Sequence, residues 1–258
     1  DWLADWADMT VRGTGGANAG HTIRRGEKEV VFHLLPSSML HGKLSVIGSG
    51  VAVEPGTVLE EICMLEANGF SADLLQISLN ARLVLPQHVA LDRVVESVKG
   101  KGRIGTTGRG MGPVYTDHVA RVGLRVNDLL NPDTFRRKLE RNLAEKVRLL
   151  RTHDADLVKE VMYQEILGQG MFHADAEQIF NVQAILGQYL AYGAQLARYI
   201  MDTDTIVRQA VARGACVLLE GAQGNLLSVD HGTYPFVTSS DCSMQGLAKG
   251  AGLRESDV

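Results

Sequence analysis

Three glycine-rich loops carry most of the residues in this sequence that could do chemistry. The first, residues 13–22, contains four glycines together with Asn18 and His21. Backbone N–H groups of such a loop can bind phosphate oxygens, and an imidazole there can act as a general acid or stabilise developing negative charge. The loop does not match the Walker A pattern, so on its own it leaves open that His21 is structural.

The second loop, residues 104–115, places Thr106, Thr107 and Arg109 among four glycines. Hydroxyl donors and a guanidinium fork match the oxygens of a phosphate monoester. A flexible surface loop is the alternative interpretation. Arg121 follows a few residues later and is either a second anion contact or an ordinary surface charge.

The third loop, residues 221–240, follows an apolar run at 215–219 that is predicted to be a buried strand. Open α/β sheets bind ligands where their strands end, and glycines there let the backbone approach a ligand closely. Gln223 offers an amide that donates and accepts, as reading the edge of a nucleotide base requires. A polar connection between two strands is the alternative. Six hydrogen-bonding side chains then lie within eleven residues: Asp230, His231, Thr233, Thr238, Ser239 and Ser240.

Alternating strands and helices must position these loops. One helix is predicted to begin at Pro55, with a Thr57–Glu60 capping box, and to end at Gly69. The alternation predicts an α/β fold with a mostly parallel central sheet and flanking helices, in one domain over residues 1–258. Hydrophobic periodicity predicts strands at 9–12, 44–54, 73–79 and 215–219, a hairpin around 25–28, and further helices at 135–150, 174–203 and 205–213.

The composition excludes several classes of protein. A net charge of −4 gives no reason to expect nucleic-acid or membrane binding, and no apolar run approaches the roughly 18 residues of a membrane span. The first residues lack the positive and apolar regions of a signal peptide. Cys63 and Cys216 lie in apolar runs and are predicted to be small core residues, which suits a reducing compartment. We therefore expect a cytoplasmic protein.

Taken together, the loops resemble adenylosuccinate synthetase, the family that joins IMP to L-aspartate at the expense of GTP. The resemblance implies the α/β fold of that family, which is related to the P-loop NTPases, and a ligase that forms a C–N bond in AMP biosynthesis. It rests on long motifs: Gly-Gly-Ala-Asn-Ala-Gly-His-Thr at 15–22, Gly-Thr-Thr-Gly-Arg-Gly-Met-Gly-Pro at 105–113, Val-Ala-Arg-Val-Gly-Leu-Arg-Val at 119–126, Glu-Gly-Ala-Gln-Gly at 220–224 and His-Gly-Thr-Tyr-Pro-Phe-Val-Thr-Ser-Ser at 231–240.

The resemblance also implies roles for individual residues. His21 would be the catalytic acid that helps to form a 6-phosphoryl-IMP intermediate, and the backbone carbonyl of Gly20 would ligate Mg²⁺. Gly20, His21 and Thr22 would contact GTP. Arg121 would reach into the site of the neighbouring subunit, so the active enzyme would be a homodimer. The IMP site would be formed by Asn18, Ala19, Gly20, His21, Thr107, Arg121, Gln223 and Thr238.

This sequence also departs from the family pattern. The Trp-Gly-Asp-Glu-Gly-Lys-Gly-Lys segment that carries the catalytic base, the aspartate-binding loop and the guanine-binding segments do not occur in these 258 residues. We therefore expect a central fragment of a longer synthetase that is inactive by itself. Four positions in the matching part differ from the family pattern: Ala17, Asn225, Ser228 and Asp241.

Two other functions stay open. A nucleotide-binding paralogue without catalysis would keep Thr107, Gln223 and Thr238 but would not need His21. A purine-nucleotide aminating variant would act on a guanine nucleotide, as a viral relative of the family does. A kinase of another phosphorylated metabolite is disfavoured because the sequence lacks a Walker A motif.

Overall fold

A computed structural model describes residues 2–165, 171 and 179–258 of the chain. Its strands are β1 (Met9–Arg12), β2 (Gly15–Gly16), β3 (His21–Arg25), β4 (Lys28–Phe32), β5 (Leu44–Ile47), β6 (Val51–Val53), β7 (Leu75–Ser78), β8 (Arg82–Leu83), β9 (Ile200–Met201) and β10 (Val217–Glu220). Its helices are α1 (Trp2–Trp6), α2 (Pro55–Ala67), α3 (Pro86–Val98), α4 (Met111–Ala120), α5 (Pro132–Leu150), α6 (Ala155–Glu165), α7 (Val182–Leu196), α8 (Thr203–Ala212) and α9 (Met244–Gly250).

A five-stranded sheet in the order β10-β1-β5-β7-β9 forms the centre of the fold, and all of its pairings are parallel. A second parallel sheet has the order β2-β6-β8, and β3 and β4 form the antiparallel hairpin that the sequence predicts. The α/β fold with a mostly parallel sheet is therefore confirmed. None of the helices in the described part of the chain is long and apolar enough to cross a membrane.

The predicted strand at 44–54 is two strands in different sheets. The break falls at residues 48–50, where Gly48 and Gly50 meet the backbone of Gly250 at the end of α9. A Cβ atom at Gly50 would collide with the Gly13 carbonyl, so glycine alone lets the chain pass from one sheet to the next. This close approach also fixes α9 against the loop that follows β1.

Two other local predictions are wrong. Helix α2 has no Thr57–Glu60 capping box, because the Glu54 carboxylate caps it by accepting hydrogen bonds from the Gly56 and Thr57 N–H groups at 3.1 and 2.6 Å. Pro55, whose fixed φ suits the first helical position, makes Glu54 the preceding cap. Cys63 and Cys216 are exposed rather than in the core: Cys63 lies on the outer face of α2, and Cys216 precedes the edge strand β10.

The long helical region predicted at 174–203 is only partly testable. Residues 174–178 lie outside the described part of the chain. From Val182 to Leu196 the helix is confirmed, and Leu186 lies in the large apolar cluster together with Phe135 and Leu139 of α5. Residues 200–201 form the short edge strand β9 instead of helix, a change that the helical periodicity does not signal.

A buried polar network ties α3, α4 and α5 together. The Asp117 carboxylate of α4 accepts hydrogen bonds from His88 Nε2 at 3.0 Å, from Asn142 Nδ2 at 2.6 Å and from Lys146 Nζ. His88 Nδ1 accepts the Leu85 N–H at 3.1 Å, so the proton that goes to Asp117 sits on Nε2. Burial opposes ionisation of Asp117, but its donors outweigh that effect and lower its pKa to about 2.

We expect Asp117→Asn to destabilise the fold by about 3–5 kcal/mol, because it leaves the buried Lys146 ammonium with only the exposed Glu145 carboxylate as its countercharge. The exposed Asp133→Asn on α5 is the matched control and should change stability by less than about 0.5 kcal/mol. Since the pKa of Asp117 is lowered, its contribution should be complete above about pH 4 and lost as the pH falls toward 2. Urea unfolding of both variants measures this, and equal midpoints would contradict it.

Candidate functional site

A cavity of about 650 Å³ opens where the three glycine-rich loops meet. It brings together residues that are far apart in the sequence and that were predicted for one binding site: Asn18, Ala19, Thr107, Gln223 and Thr238. Thr106 and Ser239 also line it, so hydroxyl groups face the cavity from two loops. Its remaining wall is largely apolar and includes Leu91, Met111 and Phe236. A mostly apolar cavity with a few convergent polar groups is the usual form of a small-molecule site.

Two polar atoms at this cavity lack a partner. Asn18 Oδ1, an acceptor, and Gln223 Nε2, a donor, are buried without a hydrogen bond among the described residues. A buried polar atom left unpaired costs about 1–3 kcal/mol, which a ligand with complementary atoms would recover. An acceptor and a donor that both need partners favour a ligand with polar edges of both kinds, such as a nucleobase.

Side chains of helix α3 bind the backbone of the loop that contains Thr106 and Thr107, which we call the threonine loop. Asp92 accepts the Gly110 N–H at 2.9 Å, Glu96 accepts the Gly105 N–H at 2.7 Å, and Arg93 Nε donates to the Gly108 carbonyl at 3.0 Å. Burial raises the pKa of Asp92, against the effect of its hydrogen bond from Gly110. Thr106 also donates its hydroxyl to Asp92, whereas Thr107 is exposed at the cavity. The sequence does not signal these contacts, because charges one helical turn apart are also typical of a solvated helix face.

The threonines and Arg109 of this loop point to different places. Thr106 and Thr107 line the 650 Å³ cavity, whereas Arg109 lines a second cavity of about 290 Å³ together with Glu54 and Tyr192. The combined phosphate contact from both threonines and Arg109 that the sequence suggested is therefore not formed in this structure. In the first cavity, this loop offers the hydroxyl groups of Thr106 and Thr107 but not the guanidinium of Arg109.

His21 lies on β3, outside the residues that line the cavity. Its Nε2 faces the Leu35 carbonyl at 3.3 Å and its Nδ1 lies 3.6 Å from Glu220 Oε1. Burial lowers the pKa of His21, and the Glu220 carboxylate opposes that shift. Thr22, the next residue, is exposed. The sequence motifs include Glu220 but indicate no role for it. Its position at the end of β10 brings it to His21.

Gly20 is exposed and adjoins a second imidazole. A Cβ atom at this position would lie 2.9 Å from Nε2 of the partly exposed His33 side chain, so the His33 ring would have to move to admit a side chain. Among the described residues, no group of three or more His, Cys, Asp or Glu side chains could hold a metal ion. A Mg²⁺ ion commonly keeps several waters and takes one or two protein ligands besides substrate phosphates. A single backbone carbonyl fits that kind of site.

Arg121 ends α4 in a left-handed conformation, with φ of 63°, and its side chain is exposed. It does not line the cavity of its own chain. The left-handed turn is closed by the Arg121 N–H, which donates to the His118 carbonyl at 3.1 Å. Arg121 therefore ends α4 outside the cavity that Asn18, Ala19, Thr107, Gln223 and Thr238 line.

Two departures from the family pattern contact each other. Ser228 Oγ donates to Asp241 Oδ1 at 3.0 Å, and the Ser243 N–H donates to the same oxygen at 2.9 Å. Burial acts to raise the pKa of Asp241, but hydrogen bonds from Ser243 and Ser228 lower it overall. The charge at Asp241 is therefore stabilised by its own loop. That loop leads from β10 to α9 rather than between two strands.

The sequence-family comparison decides what kind of protein has this cavity. The family model of adenylosuccinate synthetase matches residues 1–258. The chain belongs to the adenylosuccinate synthetase family. The synthetase of Heliobacterium modesticaldum is 45% identical over 254 residues, which cover 98% of this chain and 55% of that protein. The synthetase of Bacillus cereus strain ATCC 10987 is 42% identical over 259 residues, which cover 100% and 56%. The chain thus spans about half the length of these relatives.

Solved structures agree with the assignment to the adenylosuccinate synthetase family. The fully ligated adenylosuccinate synthetase of Plasmodium falciparum has a TM-score of 0.83 and 28% identity, covering 100% of this chain and 55% of that one. The succinoaminodeoxyadenylate synthetase of cyanophage S-2L, bound to dGMP and dATP, has a TM-score of 0.54 and 18% identity, covering 99% and 55%. At that identity the phage enzyme supports the fold alone.

Proposed function

We propose that this chain forms the IMP-binding part of an adenylosuccinate synthetase, which joins IMP and L-aspartate with GTP as the phosphoryl donor. The observation that carries the proposal is the convergence of Asn18, Thr107, Gln223 and Thr238 on one cavity. Family membership supports assigning the synthetase chemistry to this cavity. The same cavity without the family would suit any phosphorylated nucleotide.

The reaction proceeds in two displacements. N1 of IMP gives its proton to a base, which in the family pattern lies in the Trp-Gly-Asp-Glu-Gly-Lys-Gly-Lys segment. The 6-oxygen then attacks the γ-phosphorus of GTP, and GDP leaves, which gives 6-phosphoryl-IMP. The aspartate amine then attacks C6, and the former 6-oxygen departs within inorganic phosphate. Phosphorylation is needed because the unmodified oxygen is a poor leaving group, and donors fixed near the transferring group stabilise its charge.

Different residues bind different parts of IMP or assist the phosphoryl transfer. The hydroxyls of Thr107 and Thr238 bind the 5′-phosphate of IMP, and the Gln223 amide and Asn18 bind polar atoms of the nucleotide that match their unpaired atoms. Ala19 supplies a small wall beside them. His21 acts as the acid: its N–H donates a hydrogen bond to the phosphoryl group during transfer. Each binding role uses an atom that the protein itself leaves unpaired or exposed to the cavity.

The segment at Gly20 serves the donor nucleotide. We assign Gly20, His21 and Thr22 to GTP contact, and the Gly20 carbonyl to Mg²⁺, which when bound neutralises charge on the phosphates. Gly20 is supported by its exposure and by the lack of room for a side chain against His33. We place the protein in the cytoplasm, because its cysteines Cys63, Cys216 and Cys242 are free.

The proposed active enzyme is a homodimer in which Arg121 completes the site of the partner. The support is geometric: Arg121 is exposed, at a helix end, and absent from the lining of its own cavity. A guanidinium that is delivered by the partner would add a charged donor for the IMP phosphate. Two identical sites related by a two-fold axis would each receive one such residue.

We expect His21→Asn, in the protein expressed from its complete gene, to lower kcat by about two to four orders of magnitude. Affinity for IMP should change little, because His21 lies outside the lining of the cavity. Steady-state formation of adenylosuccinate and calorimetric titration with IMP measure the two effects. A variant with near-normal kcat would show that His21 has no catalytic role.

Arg121→Leu should raise the KM for IMP more than the KM for GTP. When this variant is mixed with His21→Asn, each hybrid dimer contains one site with both residues intact. Random exchange of subunits should then restore about a quarter of the wild-type activity. Mixing without any recovery, with hybrid dimers verified by differently tagged subunits, would mean that Arg121 acts within its own chain.

A further inference from the structure

Glu220 lies between the buried Arg12 of the central sheet and His21, the proposed acid. It is the last residue of β10 and pairs in register with Arg12 of β1. Its Oε2 accepts hydrogen bonds from the Ser37 N–H at 2.9 Å and from Ser37 Oγ at 2.6 Å. Its Oε1 is buried without a hydrogen bond among the described residues and lies 3.6 Å from His21 Nδ1. One oxygen is thus anchored, and the other faces the imidazole.

The buried Arg12 explains why a carboxylate is needed at position 220. The Arg12 side chain is 2% exposed, and burial lowers its pKa while Glu220 acts to raise it. A buried guanidinium requires an opposite charge nearby. Because Glu220 provides that charge and is fixed by Ser37, its free oxygen has a defined position and is not a mobile surface group.

The other edge of His21 is fixed by a second carboxylate acting through the backbone. The Leu35 carbonyl faces His21 Nε2 at 3.3 Å, and because a carbonyl can only accept, Nε2 is the donor. Glu61 of α2 accepts the N–H groups of His33 and Leu35 at 2.6 and 2.9 Å. The segment that carries the Leu35 carbonyl is thereby held rigidly against α2.

We propose that Glu220 is the positioning residue of His21: its carboxylate faces Nδ1–H of the doubly protonated imidazole, so that Nε2–H, which faces the Leu35 carbonyl in this structure, is the proton available to a bound ligand. This inference rests on the proposed function, in which His21 acts as the acid. Glu220 itself touches no substrate in this arrangement. Ser37 acts one step further away, since it fixes the carboxylate that fixes the ring.

Glu220→Gln keeps the size of the side chain and removes its charge. In the protein expressed from its complete gene, we expect kcat to fall about 10- to 100-fold while the KM for IMP changes by less than about threefold. Ser37→Ala removes one of the two Ser37 donors, endangers folding less, and should lower kcat about three- to tenfold. Glu29→Gln, which loses only an exposed pair with Arg24, is the matched control and should leave kcat unchanged.

A double-mutant cycle separates positioning from general damage. If Glu220 acts through His21, adding Glu220→Gln to His21→Asn should lower the remaining activity by less than about twofold. A second readout, the ¹⁵N chemical shift of His21 Nδ1, should change in both Glu220→Gln and Ser37→Ala. An unchanged kcat, an equal loss in the His21→Asn background, or an unchanged shift would overturn the inference. A wild-type protein without synthetase activity would instead overturn the proposed function, since the ¹⁵N readout needs no turnover.

Discussion

The buried Arg12 guanidinium constrains the part of the molecule around His21. Arg12 lies at the end of β1, between β10 and β5, and is 2% exposed. A charge at such a position is tolerated only with opposite charge nearby, which Glu220 on the neighbouring strand and Glu61 of α2 supply. Once Glu220 is fixed, its two oxygens organise Ser37 on one side and His21 on the other. The need to balance the Arg12 charge within the sheet thus fixes the carboxylate that faces His21, the proposed acid.

The cavity depends on a second set of constraints, at the ends of the same strands. Gly13, Gly50 and Gly250 bring three backbone segments into direct contact, which leaves the loops after β1 and β10 side by side. The Asp117 network fixes α4, and α3 fixes the threonine loop through Asp92 and Glu96. Each loop is therefore held by backbone or by residues behind it, and polar side chains such as Thr107 and Thr238 line the cavity.

The sequence is sufficient for the fold class and for part of the cavity lining, because both follow from local patterns and long motifs. It does not show that Gly20, His21 and Arg121 lie outside that lining. Apolar runs and helix periodicity predict β1, β7, α5 and α8 closely. What the sequence does not signal is long-range: the hydrogen bonds from His88 and Lys146 to Asp117, and the approach of Glu220 to His21. The exposure of Cys63 and Cys216 was mispredicted for the same reason, since an apolar run does not show which side of α2 or which edge of the sheet faces solvent.

The function proposed for this cavity and His21 is phosphoryl transfer to the 6-oxygen of IMP. IMP labelled with ¹⁸O at that oxygen tests the claim directly, with the protein from its complete gene, GTP, Mg²⁺ and aspartate. Mass spectrometry of the inorganic phosphate should find one ¹⁸O atom in each phosphate, because the oxygen leaves C6 within the phosphoryl group. Unlabelled phosphate, with the ¹⁸O recovered in water or kept in the nucleotide, would contradict the account.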